Sequence, residues 1–558
     1  MVASDKTGSP SILRNTHRGP VAGVDDTARS GTLYWLGVPY AMSPVGALRW
    51  RAPREPDAWT SPRPCTAFGC ACVQYGTIFG PGANNAYDTT IADTFNQVVG
   101  SEDCLYLNIW RPATGENDLP VIVFLHGGSN VAGYTADPIY NGANLARAAN
   151  VVVVTVNYRL GVFGWLSLPQ LKTGIAEEDS GNFGTLDTLH ALRWVSRNIG
   201  EFGGSARNVT LMGHSAGAIN AWVLMVAAPT RRAELFHRLV ALSGGMSLAS
   251  NLPPGSMPCL NPMPYCAAQG QALLKALLIA DGIAKDDASA AAWAAARTSA
   301  QVAEYLRALS PAAILRALLA KLVPVGLGAS APVPDGTVLP ADPIGTLAAG
   351  EYARVPVLAG NTREEAKLFA RLLALSPALG GVPGIKVSEF ERFLMAHRFD
   401  PDGATSLSTS SLISEQYLPV DAPQTGYNAR TALLSQIFFF ANRDNVLNTL
   451  KARQANVWCY RFEWAREPAP WNEVLGSAHF VDMPFVFGNF GPSVLSNLIG
   501  GKANALGRFA LSEAMMASIG AFARTGDPNN ASLGIAWPTW PGVLVFDAGL
   551  ADKAISVQ

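Results

Sequence analysis

Charge is scarce in this chain. Only 15% of its 558 residues are Asp, Glu, Lys or Arg, and the formal net charge is −1. No basic arm, acidic tail or internal repeat disturbs that balance, which argues against nucleic acid or an anionic membrane surface as partner. Histidine is scarcer still, with seven residues, so any chemistry that needs an imidazole has few to draw on. Long apolar runs are missing too. The strongest stretch, Ile314 to Gly328, is interrupted by Arg316, Lys321 and Pro324, which argues against a membrane span. The first residues, Met1-Val2-Ala3-Ser4-Asp5-Lys6, lack the apolar core of a signal peptide. The chain therefore either stays inside the cell or begins near a processed N-terminus.

Cysteine is sparse: Cys65, Cys70, Cys72, Cys104, Cys259, Cys266 and Cys459. Cys259 and Cys266 lie in a Pro-rich loop without a neighbouring His, so no metal site is expected there. A small loop disulfide between them is the expectation, and it points to an oxidising compartment, secreted or periplasmic. The odd count leaves at least one free thiol. Cys459, inside the apolar run Val457 to Phe462, is the expected buried one.

What the chain has in quantity is apolar residues, 49% of the total, enough for a large core. Leu33 to Tyr40 and Cys104 to Arg111 read as early strands. Val121 to Leu125, Val151 to Val156, Val209 to Met212, Leu239 to Leu242, Val355 to Leu358 and Val457 to Phe462 read as strands covered on both faces. Leu186, Leu189, Leu192, Val195 and Ile199 repeat at helical spacing, predicting a helix over 185–199. Alternation of this kind predicts an α/β fold with a large, mostly parallel sheet and helices on both faces. Residues 1–558 are read as a single domain. Two stretches without strand character, about 247–340 and 374–414, are read as helical or irregular insertions forming a cap or rim.

Gly213-His214-Ser215-Ala216-Gly217 stands between a strand and an apolar helix. Gly-x-Ser-x-Gly in that setting predicts a nucleophile elbow, with Ser215 at a sharp turn and the Ala216 N–H aimed at an oxyanion. The pair Gly127-Gly128 follows the strand ending at Leu125 and supplies two more candidate donors. Of the histidines, His17 is near the terminus, His190 is inside a helix, and His214 adjoins the nucleophile but is expected to turn away from it. His126 is expected to brace the glycine loop. His397 sits in an irregular stretch with no strand before it. His479, late and in a loop, fits the chain order nucleophile, acid, histidine. The acid is Glu364 or Glu365, after the strand Val355 to Leu358, one of them a solvated neighbour; Asp335 and Asp342 are earlier alternatives.

With these residues in view, the chain resembles the type-B carboxylesterases, the cholinesterase-like branch of the α/β-hydrolase fold, from about Leu33 to Trp540. The likeness is dense in Leu48-Arg49-Trp50, Ser101 to Asn108, Val156 to Gly161, Gly181 to Gly184 and Phe202-Gly203-Gly204. It implies Ser215 as nucleophile, His479 as base and Glu365 as the triad acid. It also implies oxyanion donors at Gly128, Ser129 and Ala216, and a Cys72–Cys104 disulfide at the pocket mouth. Structural ion pairs Arg49–Glu102 and Arg159–Asp187 and a supporting hydroxyl at Ser243 follow from it too. Departures from the family pattern are His214 for the usual Glu, Ser129 and Asn130 after the glycine pair, Ala366 after the acid, and Ser205 after Gly204.

The resulting expectation is hydrolysis of a small to bulky, hydrophobic carboxylic ester through a covalent serine ester, with no cofactor. Amides, carbamates or thioesters are alternative substrates. A non-catalytic binding protein on the same fold is the rival class, disfavoured by the intact Ser215, Glu365 and His479. Ile314 to Leu327 and Leu368 to Leu379 are weighed as gorge linings, with ordinary helix packing slightly preferred. Asn84, Asn85 and Asn130 hint at polar groups near the pocket mouth.

Overall fold

Leu119–Leu125 carries no charge, and its side chains divide between two cores. Val121, Val123 and Leu125 join one buried cluster, while Ile122 and Phe124 join another. A strand alternates its side chains between faces, so this division means that both faces are covered. In the computed structural model, which describes residues 12–231, 233–493 and 496–558, this strand lies within an eleven-stranded sheet. The stretch Met1 to Lys6 lies outside the described residues.

The strands of that sheet are β1 (Val24–Asp26), β2 (Thr32–Pro39), β3 (Tyr106–Pro112), β4 (Leu119–Leu125), β5 (Val152–Val156), β6 (Gly204–His214), β7 (Arg238–Leu242), β8 (Val357–Thr362), β9 (Val457–Phe462), β10 (Val543–Ala548) and β11 (Lys553–Val557). Their spatial order is 11-10-9-8-7-6-4-5-3-2-1. Pairings from β5 through β4 and β6 to β10 are parallel. The outer pairings β1–β2, β2–β3, β3–β5 and β10–β11 are antiparallel. The expected mostly parallel sheet is therefore bordered by antiparallel edges.

Helices α1 (Phe183–Asn198) and α2 (Ala216–Val226) cover one face through Leu186, Leu189, Leu192, Val195, Ala218 and Val223. On the other face, Leu511, Met515, Ile519 and Phe522 of the helix Ala505–Thr525 pack with Leu145 and Ala149 of Ala143–Ala149.

The stretch 247–340 is mainly helical. It contains Met263–Ala280, Asp287–Ala295, Ser299–Ala308 and Pro311–Ala317. The last three each open on a side-chain cap: Asp286 accepts from the Ser289 N–H, Thr298 from Gln301 and Ser310 from Ala313. Leu273, Leu277, Val302, Ile314 and Leu318 form a satellite core with Trp50 and Phe163. Ile314 and its neighbours thus pack among helices, as the helix-packing expectation had it.

The Cys72–Cys104 disulfide is formed. The expected Cys259–Cys266 bridge is not, and both thiols are free. The cause is local. Cys266 sits in the first turn of Met263–Ala280 and is buried in the core, whereas the Cys259 N–H is tied to the Ser247 carbonyl. Burial pushes the Cys259 thiol up to about 12 and the Cys266 thiol up to about 11. Cys459 is buried and free, as expected, together with Cys65 and the exposed Cys70. Among the described residues no single helix is long and apolar enough to cross a membrane, although the bent pair Ser299–Ala308 and Pro311–Val325 passes by length and composition.

Candidate active site

β6 ends at His214 and α2 begins at Ala216, so Ser215 alone makes the turn, with φ 56° and ψ −123°. That conformation is costly for a residue with a side chain. It persists because the surroundings fix it. The Ser215 N–H donates to the Leu242 carbonyl at 2.8 Å, and its own carbonyl accepts from Ala218 and Ile219. The flanking glycines are required by contact. A methyl group at Gly213 would overlap the Gly217 carbonyl, and one at Gly217 would overlap that of Leu125. The Ala216 N–H opens α2 and is therefore among the helix donors that have no intrahelical acceptor.

The loop after β4 turns through Gly128, Ser129 and Asn130, all at positive φ. The Val131 and Ala132 N–H groups both donate to the Gly128 carbonyl at 3.0 Å. A methyl at Gly127 would come within 2.9 Å of the Ser215 Cβ, so only glycine lets this loop lie against the elbow. His126 braces it: its Nδ1 lies 2.8 Å from the Gly127 carbonyl and its ring stacks on Tyr158 at 4.7 Å. Burial pushes the His126 imidazole down to about 4.

Glu365 follows β8 and is fully buried. His479 Nδ1 lies 2.6 Å from its Oε2, and its Oε1 accepts from Ser243 Oγ at 2.6 Å, Asn361 Nδ2 at 2.7 Å and the Thr362 N–H at 3.0 Å. With Nδ1 donating to the carboxylate, His479 keeps Nε2 for a second partner. The His479 ring is held by Phe369 and Phe439, both at 5.0 Å, and by His214 at 4.7 Å.

His214, expected to turn away from Ser215, lies against the His479 ring and borders the same cavity as Ser215. Neither of its ring nitrogens has a hydrogen-bond partner. Burial, reinforced by His479, holds its imidazole well below the ordinary histidine range.

Glu364 is not the solvated neighbour expected. It pairs with Lys367 at 2.8 Å and accepts from the Ser477 N–H at 3.0 Å. Burial pushes its carboxyl up, but Lys367, Arg363 and Ser477 outweigh that and hold it below the ordinary range. Asp335 ties down the amides of Val338 and Leu339, and Asp342 caps the helix Pro343–Ala349. Asn85 holds Gly69 and Ala71 rather than facing a ligand. Asn130 accepts from Asn220 at 3.0 Å.

Two cavities meet at Ser215, Ser129 and Phe369. The larger, 270 Å³, is bordered by His479, His214 and Gly128 and walled by Phe79, Tyr140 and Leu372. The smaller, 190 Å³, is bordered by Ala216 and Asn130 and walled by Ile219, Phe438 and Phe439. Leu368, Phe369 and Leu372 thus line the larger cavity, although the sequence made helix packing the preferred reading. Asn361 and Phe439 were not singled out as site residues, and Phe369 only as part of the stretch Leu368 to Leu379. Asn361 and Phe369 sit close to the acid in the chain and were within reach of the motif, while the Phe439 ring arrives from a distant segment.

The ion pairs Arg49–Glu102 and Arg159–Asp187 are formed, with Nε–carboxylate distances of 2.6 and 2.7 Å. The sequence profile described as "Carboxylesterase family" matches residues 10–543. The chain is 29% identical to a para-nitrobenzyl esterase of Bacillus subtilis over 93% of this chain and 91% of that protein. It is 31% identical to carboxylesterase 1C of Mus musculus over 91% and 82%. A crystal structure of a Geobacillus stearothermophilus carboxylesterase superposes with a TM-score of 0.71 at 29% identity, covering 98% of both chains. With an α/β-hydrolase sheet and these relatives along nearly its whole length, the chain belongs to the carboxylesterase family and is an ester-hydrolysing enzyme.

Proposed function

We propose that Ser215, His479 and Glu365 form the catalytic triad and that hydrolysis passes through an acyl-enzyme. The carrying observation is the fully buried carboxylate of Glu365 at 2.6 Å from His479 Nδ1, beside a cavity that both His479 and Ser215 border. His479 Nε2 takes the Ser215 proton as Oγ attacks the ester carbonyl, and Glu365 stabilises the imidazolium. The N–H groups of Gly128, Ser129 and Ala216 receive the oxyanion, each contributing about 3 kcal/mol to the transition state. His479 then protonates the leaving alcohol, and a water repeats the sequence on the acyl-enzyme.

Aromatic and aliphatic walls in both cavities support a substrate with hydrophobic parts. The single-domain reading of residues 1–558 is supported by the described parts of both insertions, which reach the site. Ala329 to Ala331 of the first insertion border the smaller cavity, and Glu389 and Arg392 of the second border the larger. The disulfide supports a secreted or periplasmic location.

An organophosphonate probe tests the nucleophile: the native protein is labelled stoichiometrically and Ser215→Ala is not. Labelling that survives Ser215→Ala overturns the assignment. A matched panel of ester, amide, carbamate and thioester substrates then ranks the bond types, with the ester expected to turn over fastest.

A further inference from the structure

The larger cavity carries cations that the triad does not use. Arg371 and Arg392 both line it. Arg392 belongs to the helix Glu389–Arg398, which is rigidly opened by a capping box: the Ser388 N–H donates to Glu391 Oε2 at 2.7 Å, and the Glu391 N–H donates to Ser388 Oγ at 3.1 Å. Among the described residues the Arg392 guanidinium makes no hydrogen bond and no ion pair within 4.0 Å. Arg371 spends one donor on the Val387 carbonyl at 3.0 Å, which leaves the rest of its guanidinium fork unused. A guanidinium stays charged even when partly desolvated.

The opposing charge at this cavity is Glu389 and Asp137. Asp137 is buried, and burial pushes its carboxyl up to about 7, so near neutral pH much of it is uncharged. His214 is neutral for the same reason. Two arginines therefore face Glu389 and a carboxyl that burial keeps from being fully charged, in a cavity with apolar walls that focus the field.

Which part of the ester meets this field follows from the reaction. The leaving oxygen must come within hydrogen-bond reach of His479, which gives it a proton. His479 borders the larger cavity and does not border the smaller one. The alcohol portion therefore occupies the larger cavity and the acyl chain the smaller.

We propose that the preferred substrate is an ester whose alcohol portion carries an anionic group, a carboxylate or its equivalent, received by Arg392 and Arg371. The inference rests on the Ser215–His479 assignment, because that assignment orients the ester. Guanidinium groups suit a carboxylate because their planar forks can pair with both oxygens.

Three acetate esters of phenols test it with the full-length protein: 3-(4-acetoxyphenyl)propanoate, its primary amide, and 2-(4-acetoxyphenyl)ethyl-trimethylammonium. Two methylenes separate each charge from the phenol, so the leaving groups are electronically matched. At neutral pH and low salt the anionic ester is expected to exceed the neutral amide in kcat/KM by about tenfold, mainly through KM, and the advantage shrinks as salt rises. Arg392→Gln brings that ratio toward one, and Arg392→Glu inverts it. Each ratio is measured within one preparation and does not depend on how much of a variant folds. Arg371→Glu, at an exposed position, supplies a second arm. A ratio near one in the native protein, a preference for the ammonium ester, or a ratio unmoved by Arg392→Glu overturns the proposal. Hydrolysis of the neutral amide ester that persists in Ser215→Ala overturns the triad instead, and leaves the two failures distinguishable.

Discussion

Glu365 spends both carboxylate oxygens on neighbours: one on His479 and one on Ser243, Asn361 and the Thr362 N–H. Three donors on one oxygen orient the other toward the imidazole. Glu365→Gln replaces an acceptor with an amide and disturbs the tautomer, so kcat is expected to fall by about 10²–10⁴ with KM little changed. Steady-state kinetics on a neutral aryl acetate checks this. Asp137 gives a pH signature. Its carboxyl rises from an ordinary 3.8 to about 7 in the folded chain, chiefly by burial. The folded state therefore holds the proton more tightly, and the stability this contributes is complete below the unfolded value and is lost as pH rises through about 7. The slope is about 1.4 kcal/mol per pH unit between the two values. Asp137→Asn keeps an acceptor for the Ile139 N–H and removes the slope. Its melting temperature is expected to exceed that of the native chain at pH 8 and to approach it at pH 4. Ser215 and His479 were candidates from the sequence alone, because their residue types are rare or flanked by glycine. Arg392 was not, since nothing along the chain says which arginines face a cavity.

The elbow is where local sequence and geometry agree most closely. Gly213 and Gly217 have no room for a methyl group, because carbonyl oxygens already occupy the space. Gly217→Ala is expected to destabilise the chain by about 3 kcal/mol or more, as overpacking against backbone relaxes poorly. Equilibrium urea unfolding checks this, and an unchanged midpoint would contradict the packing described. Strand β9 was read to its end residues, since a run that is apolar but for Arg461 and is bounded by Asn456 and Glu463 leaves little choice. The edge strands β1 and β11, and β10 beside the latter, were not singled out, being short or sided differently from the centre. Ala505–Thr525 was missed for another reason. It is buried on many sides, so it lacks the contrast between apolar and polar faces that marks an amphipathic helix. Cys259 and Cys266 misled because a six-residue spacing looks bridgeable until a helix starts between them.

Cross-chain ties hold the cavity wall. The Cys72–Cys104 bridge, with a sequence separation of 32, encloses Thr77 and Phe79 of the larger cavity. Loop-closure entropy puts its contribution at about 3–4 kcal/mol. The double variant Cys72→Ser, Cys104→Ser is expected to lose that much in urea unfolding. Thiol titration of the unfolded, unreduced native protein is expected to find five free thiols, at Cys65, Cys70, Cys259, Cys266 and Cys459. Three would restore the Cys259–Cys266 bridge. Nearby, Arg49 joins Glu102 to the carbonyl of Leu309 in the helical insertion, which couples that insertion to the disulfide loop. The two insertions contribute to different cavities, so substitutions in them are expected to alter acyl and alcohol preference separately.

The sequence by itself determined the sheet and the elbow and put forward Ser215 and His479 as the proposed nucleophile and base, because those depend on short-range patterns: apolar runs, glycines beside a serine, and chain order. It also carried, through family resemblance, the choice of Glu365 over Glu364. Only the tertiary structure decided what surrounds them. It joined His479 to Glu365 across more than a hundred residues, set His214 against the imidazole, kept Cys259 and Cys266 apart, and put Arg392 on the wall of the cavity. Those outcomes depend on which distant side chains share a volume, and a linear pattern does not encode that distance.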